Sequence, residues 1–513
     1  MPSLLTKNFK TLFVKQIYNL LDISANSYLP LSRQSYLYAF IGKALPWNSG
    51  TESPAVPSET DEAINAIYRF GILAKRLTND NASLIVPRVD WESNTVYNTY
   101  QSNSNFYVLT SKDQVFKCLY NNGDQASTDE PEITLSTTSL EEPYLQTADN
   151  YKWKYMYTLT SVQKQKFLND DWMPVTTNKF VSASAQPGSI DVVTITNSGN
   201  NYVSGALQDI ITVTGDGTGA VLKANVSALS IPLSGTANIS NVTVVVRGTS
   251  TNFTSQIGVG NVVTFGTESK LVVAVDSATS LNVNSVFASA QTGVSISKTG
   301  GEVIDIVIQD RGQNYTYANL SFSDVAGGTG NSAAAVVSIA PYDGHGFDAV
   351  SELGCKAIMF NVDYDRGESN SLPVDNDFRQ VVLLQNPKPY NSSQLATADK
   401  YTLYTRISVS PGIGDFNVDE IVYQGETFSS STFTADVVSF DDVSNYLYVN
   451  NIKGTLSTNQ SVIGQQSGSI RVVNSVTNPT LDLYSGKILY IDNRMPVTRD
   501  ASQKERIRFI LSF

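Results

Sequence analysis

The sequence has little of what most active sites are built from. Its 513 residues include two cysteines and one histidine. Cys118 and Cys355 stand far apart with no partner motif around either, which excludes a disulfide framework and predicts two reduced, buried thiols. A single histidine, His345, excludes a Cys/His zinc pattern. A Ser-His-Asp triad would need this one imidazole, and no Gly-x-Ser-x-Gly elbow accompanies it. His345 lies in Asp343-Gly-His-Gly346, a turn signal, and reads as a loop histidine bonded to backbone or water. Charge is also scarce, at 16% of residues against about 25% in ordinary domains. What charge there is leans acidic, 35 basic against 47 acidic residues for a net −12. Such a chain does not attract a phosphate backbone, which argues against nucleic acid as a partner. Apolar runs are short, as in Ile304 to Ile308 with Asp305 inside, against the roughly 18–20 residues of a membrane span. The opening Met1-Pro2-Ser3 lacks the charged-then-apolar layout of a secretory signal. The expectation is a protein made in a cytoplasm with no membrane partner.

What is present is a short helical beginning followed by strands. Leu4, Leu5, Phe9, Leu12, Phe13, Ile17, Leu20 and Leu21 recur at helical spacing, with Lys7, Lys10, Lys15 and Asn19 between them. Ser3 is the expected cap, and the pattern ends at Pro30. A second helix is expected over Asp61 to Lys75, with Ile64, Ile67, Tyr68 and Leu73 on one side and Ser58 and Asp61 as a capping-box signature. A third covers Val162 to Leu168. Beyond these the period is two: 190–196, 211–214, 242–246, 262–265, 271–275, 303–308, 333–339, 381–384 and 446–449 are short, β-branched and bounded by Gly, Asn or Ser. Strands at this spacing predict sandwiches or small barrels.

An internal repeat lies within the β region. Gly188 to Tyr202 aligns with Gly301 to Tyr315, and each copy continues into a Gly-Thr-Gly turn (Gly217 to Gly219, Gly328 to Gly330) and an Ala/Val strand. The spacing predicts a strand, a tight turn at Gly199 or Gly312, an anchoring tyrosine and a returning hairpin. A second stretch, about Tyr401 to Val476, shifts to Ser, Thr, Gly, Asp and Asn and reads as another small barrel.

Motifs for chemistry are few. Asp363-Tyr-Asp365-Arg-Gly-Glu368 and Asp375-Asn-Asp377 carry oxygen ligands, but Gly367 falls at the fifth place from Asp363 where a calcium loop needs glycine at the sixth. Gly215 to Gly219 lacks the Gly-Lys-Ser/Thr ending and following helix of a phosphate cradle. The acid pairs Glu141-Glu142 and Asp170-Asp171 point in divergent directions. On residues alone the protein is β-rich and non-enzymatic, with no catalytic residue, cofactor or metal expected.

Several stretches nevertheless resemble one family. Asn8-Phe-Lys-Thr11, Phe40-Ile-Gly-Lys-Ala-Leu-Pro-Trp47, Val86-Pro-Arg-Val-Asp-Trp91, Val115-Phe-Lys-Cys-Leu119 and Tyr151-Lys-Trp-Lys-Tyr-Met-Tyr157 occur in that order. Phe378-Arg-Gln380, Asn386-Pro387, Tyr490-Ile-Asp-Asn-Arg-Met-Pro496 and a terminal strand ending in Phe513 follow. Together they are similar to the baseplate wedge subunit of T-even-like contractile-tailed bacteriophages, the dimeric wedge component called gene product eight. The resemblance covers about residues 1–180, 342–400 and 480–513; 185–341 and 401–479 have no clear counterpart in it.

The fold expected is α+β and mostly β. A discontinuous host domain (1–184, 342–400 and 480–513) packs helices on antiparallel sheets. Inserted small β-sandwich or barrel modules occupy 185–341, containing the repeats 188–226 and 301–339, and 401–479. The resemblance implies a structural virion protein of the tail baseplate, a homodimer with other baseplate wedge proteins as partners, helping to pass host contact on to sheath contraction. The rival is a host-surface carbohydrate-binding or carbohydrate-cleaving tail protein, which would need exposed aromatic platforms and acids in one groove. Candidate structural or subunit-contact residues are Trp47, Arg88, Asp90, Trp91, Arg379, Arg494 and Phe513. Arg88 is expected to bridge Asp90 or a neighbouring acid in bidentate fashion, and the tryptophans to serve as apolar anchors with one donor each.

Overall fold

Period-two sequence becomes strand along most of the chain. A computed structural model describes residues 4–22, 34–47, 53–102, 104–324, 330–368, 371–374, 376–500 and 502–513. It is mostly β, with antiparallel sheets and two small closed six-stranded barrels. The chain divides into two compact units, Met1–Pro87 with Ser161–Val175 and Gly354–Phe513, and Arg88–Thr160 with Thr176–Leu353. The expected segment 185–341 lies in the second unit and 401–479 in the first.

The first unit is built on two sheets. One has the strand order Lys400–Thr402, Gly71–Arg76, Leu37–Gly42, Asn376–Gln385, Lys487–Arg499; the other runs Lys504–Ser512, Ala357–Asp365, Ala82–Pro87, Trp172–Pro174. Leu37–Gly42 is buried at every position, as a central strand covered on both faces must be. The two sheets meet through aromatic side chains. The Tyr364 hydroxyl donates to the Ala39 carbonyl at 3.1 Å, and Phe509 stacks between Phe360 and Tyr490 with centroids 4.9 and 5.5 Å away.

Two of the expected helices need correction. The first spans Lys7–Asn19 and is capped by Thr6, whose hydroxyl accepts from the Phe9 amide; Ser3 and Pro30 lie outside the described residues. The second stops at Arg69, and Thr60 rather than Ser58 caps it. Its expected last turn is instead the strand Gly71–Arg76, paired along Leu37–Gly42. A Cβ on Gly71 would sit 2.4 Å from Leu403 Cδ2, so the close approach of a neighbouring segment, not the local apolar spacing, decides the conformation there. The third helix, Ser161–Phe167, stands as expected.

The barrels comprise strands from Leu229–Ile239 to Gln291–Gly300 in the second unit and from Thr405–Val409 to Ile470–Thr477 in the first. Numbering strands along the chain, the first ring runs 1-2-5-4-3-6 and the second 1-4-3-2-5-6. Counting the second from its last strand turns its order into that of the first. The two barrels are therefore circular permutants in connectivity. The likeness extends to backbone detail. Gly260 and Asp419 both have positive φ. In each ring this residue donates to a strand valine carbonyl (Val272, Val437), and the same valine donates back to the following residue, Asn261 or Glu420.

The repeat copies do not form separate hairpins, which corrects the expectation of a returning hairpin in each. Ile190–Asn200 of the first copy pairs with Asn331–Ile339 of the second, and Thr218–Val226 pairs with Val303–Gln313. The middle strands, Ile211–Gly215 and Ala318–Phe322, pair with one another. The anchoring tyrosines cross over as well: the Tyr202 hydroxyl accepts from the Ala333 amide and that of Tyr315 from the Ala220 amide. Carboxylates complete the exchange, Asp216 accepting from the Thr316 amide and Asp324 from the Val203 amide. Of the second Gly-Thr-Gly turn, Gly328 lies outside the described residues.

Candidate functional site

Ionisable side chains converge inside the second unit. Lys117, on Gln114–Tyr120, stands directly opposite Lys154, on Lys152–Thr158, and both are buried. Two lysines facing each other out of water require carboxylates. Lys117 Nζ donates to Glu352 Oε2 and to His345 Nδ1, the latter at 2.7 Å. Glu352 Oε1 also accepts from the Gly346 and Asp348 amides at 2.8 and 3.2 Å. Lys154 donates to the Glu142 carbonyl, and Asp191 receives Ser189 and Arg311. The Tyr100 ring meets the imidazole edge-on at 4.6 Å and lies beneath Lys117 Nζ.

Burial dominates the electrostatics. It lowers the Lys117 ammonium pKa and brings Lys154 down to about 8. Burial and then the Lys117 charge bring His345 down to about 4, leaving a neutral imidazole at neutral pH. For Glu352 burial pushes upward, but the Lys117 charge and the hydrogen bonds from Lys117 and His345 together outweigh it and hold the carboxyl at about 2. His345 does lie in a turn, as expected, but it is buried there and bonded to Lys117 rather than to backbone or water. The sequence signal for it was Gly344 and Gly346, both at positive φ, with a Cβ at Gly346 falling 2.5 Å from Val181 Cγ1. Lys117 and Glu352 gave no signal, because lysine and glutamate ordinarily read as solvated.

The first unit offers a different feature, an open apolar groove of about 770 Å³. Phe13, Ile17 and Leu20 of the helix, Leu489 and Tyr490, and the end of the last strand from Ile510 to Phe513 line it. Phe13 meets Phe513 edge-on at 4.7 Å. The helix turns Thr11 and Val14 inward and leaves Phe9, Leu12 and Phe13 exposed, with Leu4 and Leu5 exposed just ahead of it, the reverse of an ordinary surface helix.

The sequence candidates fall in both units. In the first, Trp47 Nε1 donates to the Arg494 carbonyl at 2.9 Å and Lys43 lies over its ring. Arg379 donates to the Ala44 carbonyl and to Asp377, Arg494 pairs with Asp492, and Phe513 closes the groove. In the second, Arg88 reaches Asp90 through Nε at 2.9 Å, partly exposed, rather than as a bidentate fork. Trp91 donates from Nε1 to Ser127. Asp363 and Asp365, weighed as cation ligands, end the strand Ala357–Asp365 and pair with Arg506 and Lys504; Asp375 lies outside the described residues. Among the described residues no group of three or more His, Cys, Asp or Glu could hold a metal ion, and no helix is long and apolar enough to cross a membrane. No protein-family model matches the chain, and no curated protein matches it significantly.

Proposed function

We propose that the chain is a non-enzymatic structural component of a contractile-tail baseplate wedge, working as a homodimer that links other wedge proteins. The observation that carries the reading is the groove between the helix Lys7–Asn19 and the last strand. Contiguous exposed apolar surface of this kind marks a protein contact, and each of Leu12, Phe13 and Phe513 would contribute about 1.5–3 kcal/mol if fully covered. Charge favours a second copy as the cover, since the helix carries Lys7, Lys10 and Lys15 without an acid in its first turn while the whole chain is at −12. The assembly is proposed from the order of short motifs that resemble those of wedge subunits. Closed barrels and an interlocked repeat supply rigid modules, set into a discontinuous host domain, that hold partners at fixed separation.

Light scattering tests this on the purified chain at micromolar concentration. The expected mass is twice 55.7 kDa, falling to the single-chain value in Phe13→Asp. A wild-type protein at 55.7 kDa, together with binding on a glycan array, overturns the reading in favour of a carbohydrate-directed tail protein.

A further inference from the structure

We propose that Lys117 and Glu352 condense to an intramolecular amide, a covalent staple between the strand Gln114–Tyr120 and the helix Ala349–Glu352. The pair is a nucleophile and an electrophile in contact, 235 residues apart in sequence, with side chains 1% and 8% exposed. Three further features make the arrangement more than a salt bridge. His345 Nδ1 lies 2.7 Å from Lys117 Nζ and, in the tautomer that accepts this contact, presents its lone pair to the reacting nitrogen. The Gly346 and Asp348 amides aim at Glu352 Oε1, where the oxyanion of acyl transfer would form. Lys154, facing Lys117 across the ladder, disfavours a second ammonium beside it.

The step balances without a co-reactant. A proton passes from the Lys117 ammonium to Glu352 Oε2 along their hydrogen bond, giving amine and carboxylic acid, the reactive minority of a pair that rests as ammonium and carboxylate. Nζ attacks Cδ, forming the N–C bond while the oxyanion develops on Oε1. His345 Nδ1 takes one proton from the nitrogen and returns it to the Oε2 hydroxyl. The Cδ–Oε2 bond breaks and water leaves. Ammonium plus carboxylate has become amide plus water, and the imidazole ends as it began. Burial keeps water from reversing the step, and the reaction occurs once per molecule.

Intact-mass spectrometry of the full chain, purified and denatured, tests it. The expected mass is that of the sequence less one water, with a branched peptide joining Lys117 to Glu352 after digestion. Lys117→Ala and Glu352→Ala should each return the mass to that of the unmodified variant. His345→Gln should slow appearance of the linked form and change its pH profile. Wild-type protein at full sequence mass overturns the proposal and leaves an ion pair. So does a water loss that digestion maps to other residues, a reading that does not depend on whether the variants fold.

Discussion

Glu420 shows what one side chain can decide. It is wholly buried in the barrel that begins at Thr405, and its carboxyl group accepts from the Asn417, Gln466 and Ser467 amides and from the Ser467 hydroxyl. Those bonds tie down the 464–469 turn, and Gly464 is required there because a Cβ would lie 2.7 Å from Glu420 Oε1. Hydrogen bonds to a charged group contribute about 1.5–3 kcal/mol each, and these four are part-buried. Glu420→Ala is therefore expected to lower stability by roughly 3 kcal/mol or more, read as a fall in the denaturant midpoint. At His345 the prediction concerns pH. Its folded pKa, about 4, lies below the ordinary 6.5, so the unfolded chain binds the extra proton first. Stability is then full above 6.5 and drains away as pH falls through 4. Burial is the leading cause and does not depend on the charge state of Lys117. The melting temperature should drop across this window in wild type and less steeply in His345→Gln.

Among elements, the barrel Leu229–Gly300 is the most separable. Its first and last strands pair with each other, Leu229 opposite Gly300, and they continue the pairing of Thr218–Val226 with Val303–Gln313. Joining Ser227 to Gly301 through a two-residue turn should leave a plain hairpin and an intact interlocked repeat. The measurement is a cooperative melt with near-wild-type protection of the Ala220 and Ala333 amides; their loss would show that the ring braces the repeat. The alternation of Ile190–Asn200 and Val303–Gln313 made these strands, and even the duplication, legible in the sequence. Pairing partners were not legible, because a period of two specifies which face is buried and not which strand lies alongside. The same limit hid the permuted barrels, whose shared order exists only in the ring. At Gly71–Arg76 the apolar spacing suited a helix, and tertiary pairing overrode it. Of the residues picked from the motifs, Trp47 and Trp91 each place their one indole donor on a partner, whereas Arg88 makes a single contact to Asp90 where a fork was expected. The Lys117-His345-Glu352 cluster escaped because its members come from distant segments and only folding brings them together.

At the scale of the molecule, both ends of the chain belong to one unit. The first helix and the last strand line the same groove, and Lys504–Ser512 pairs along the whole of Ala357–Asp365. Ile507 and Phe509 of that strand are buried, worth about 1.5–3 kcal/mol each before entropy, a large share of a domain's 5–15 kcal/mol. Truncation after Gln503 should abolish the cooperative melt of the first unit while the Tyr100, Trp153 and Tyr202 environments of the second persist, as near-ultraviolet dichroism would register. The arrangement also imposes an order on birth. A ribosome delivers about 5–20 residues per second, so the second unit, complete at Leu353, is released while some 160 residues that the first unit needs are still unmade. For that interval the amphipathic helix made first waits without its closing strand, and guarding that exposed segment falls to whatever holds the nascent chain.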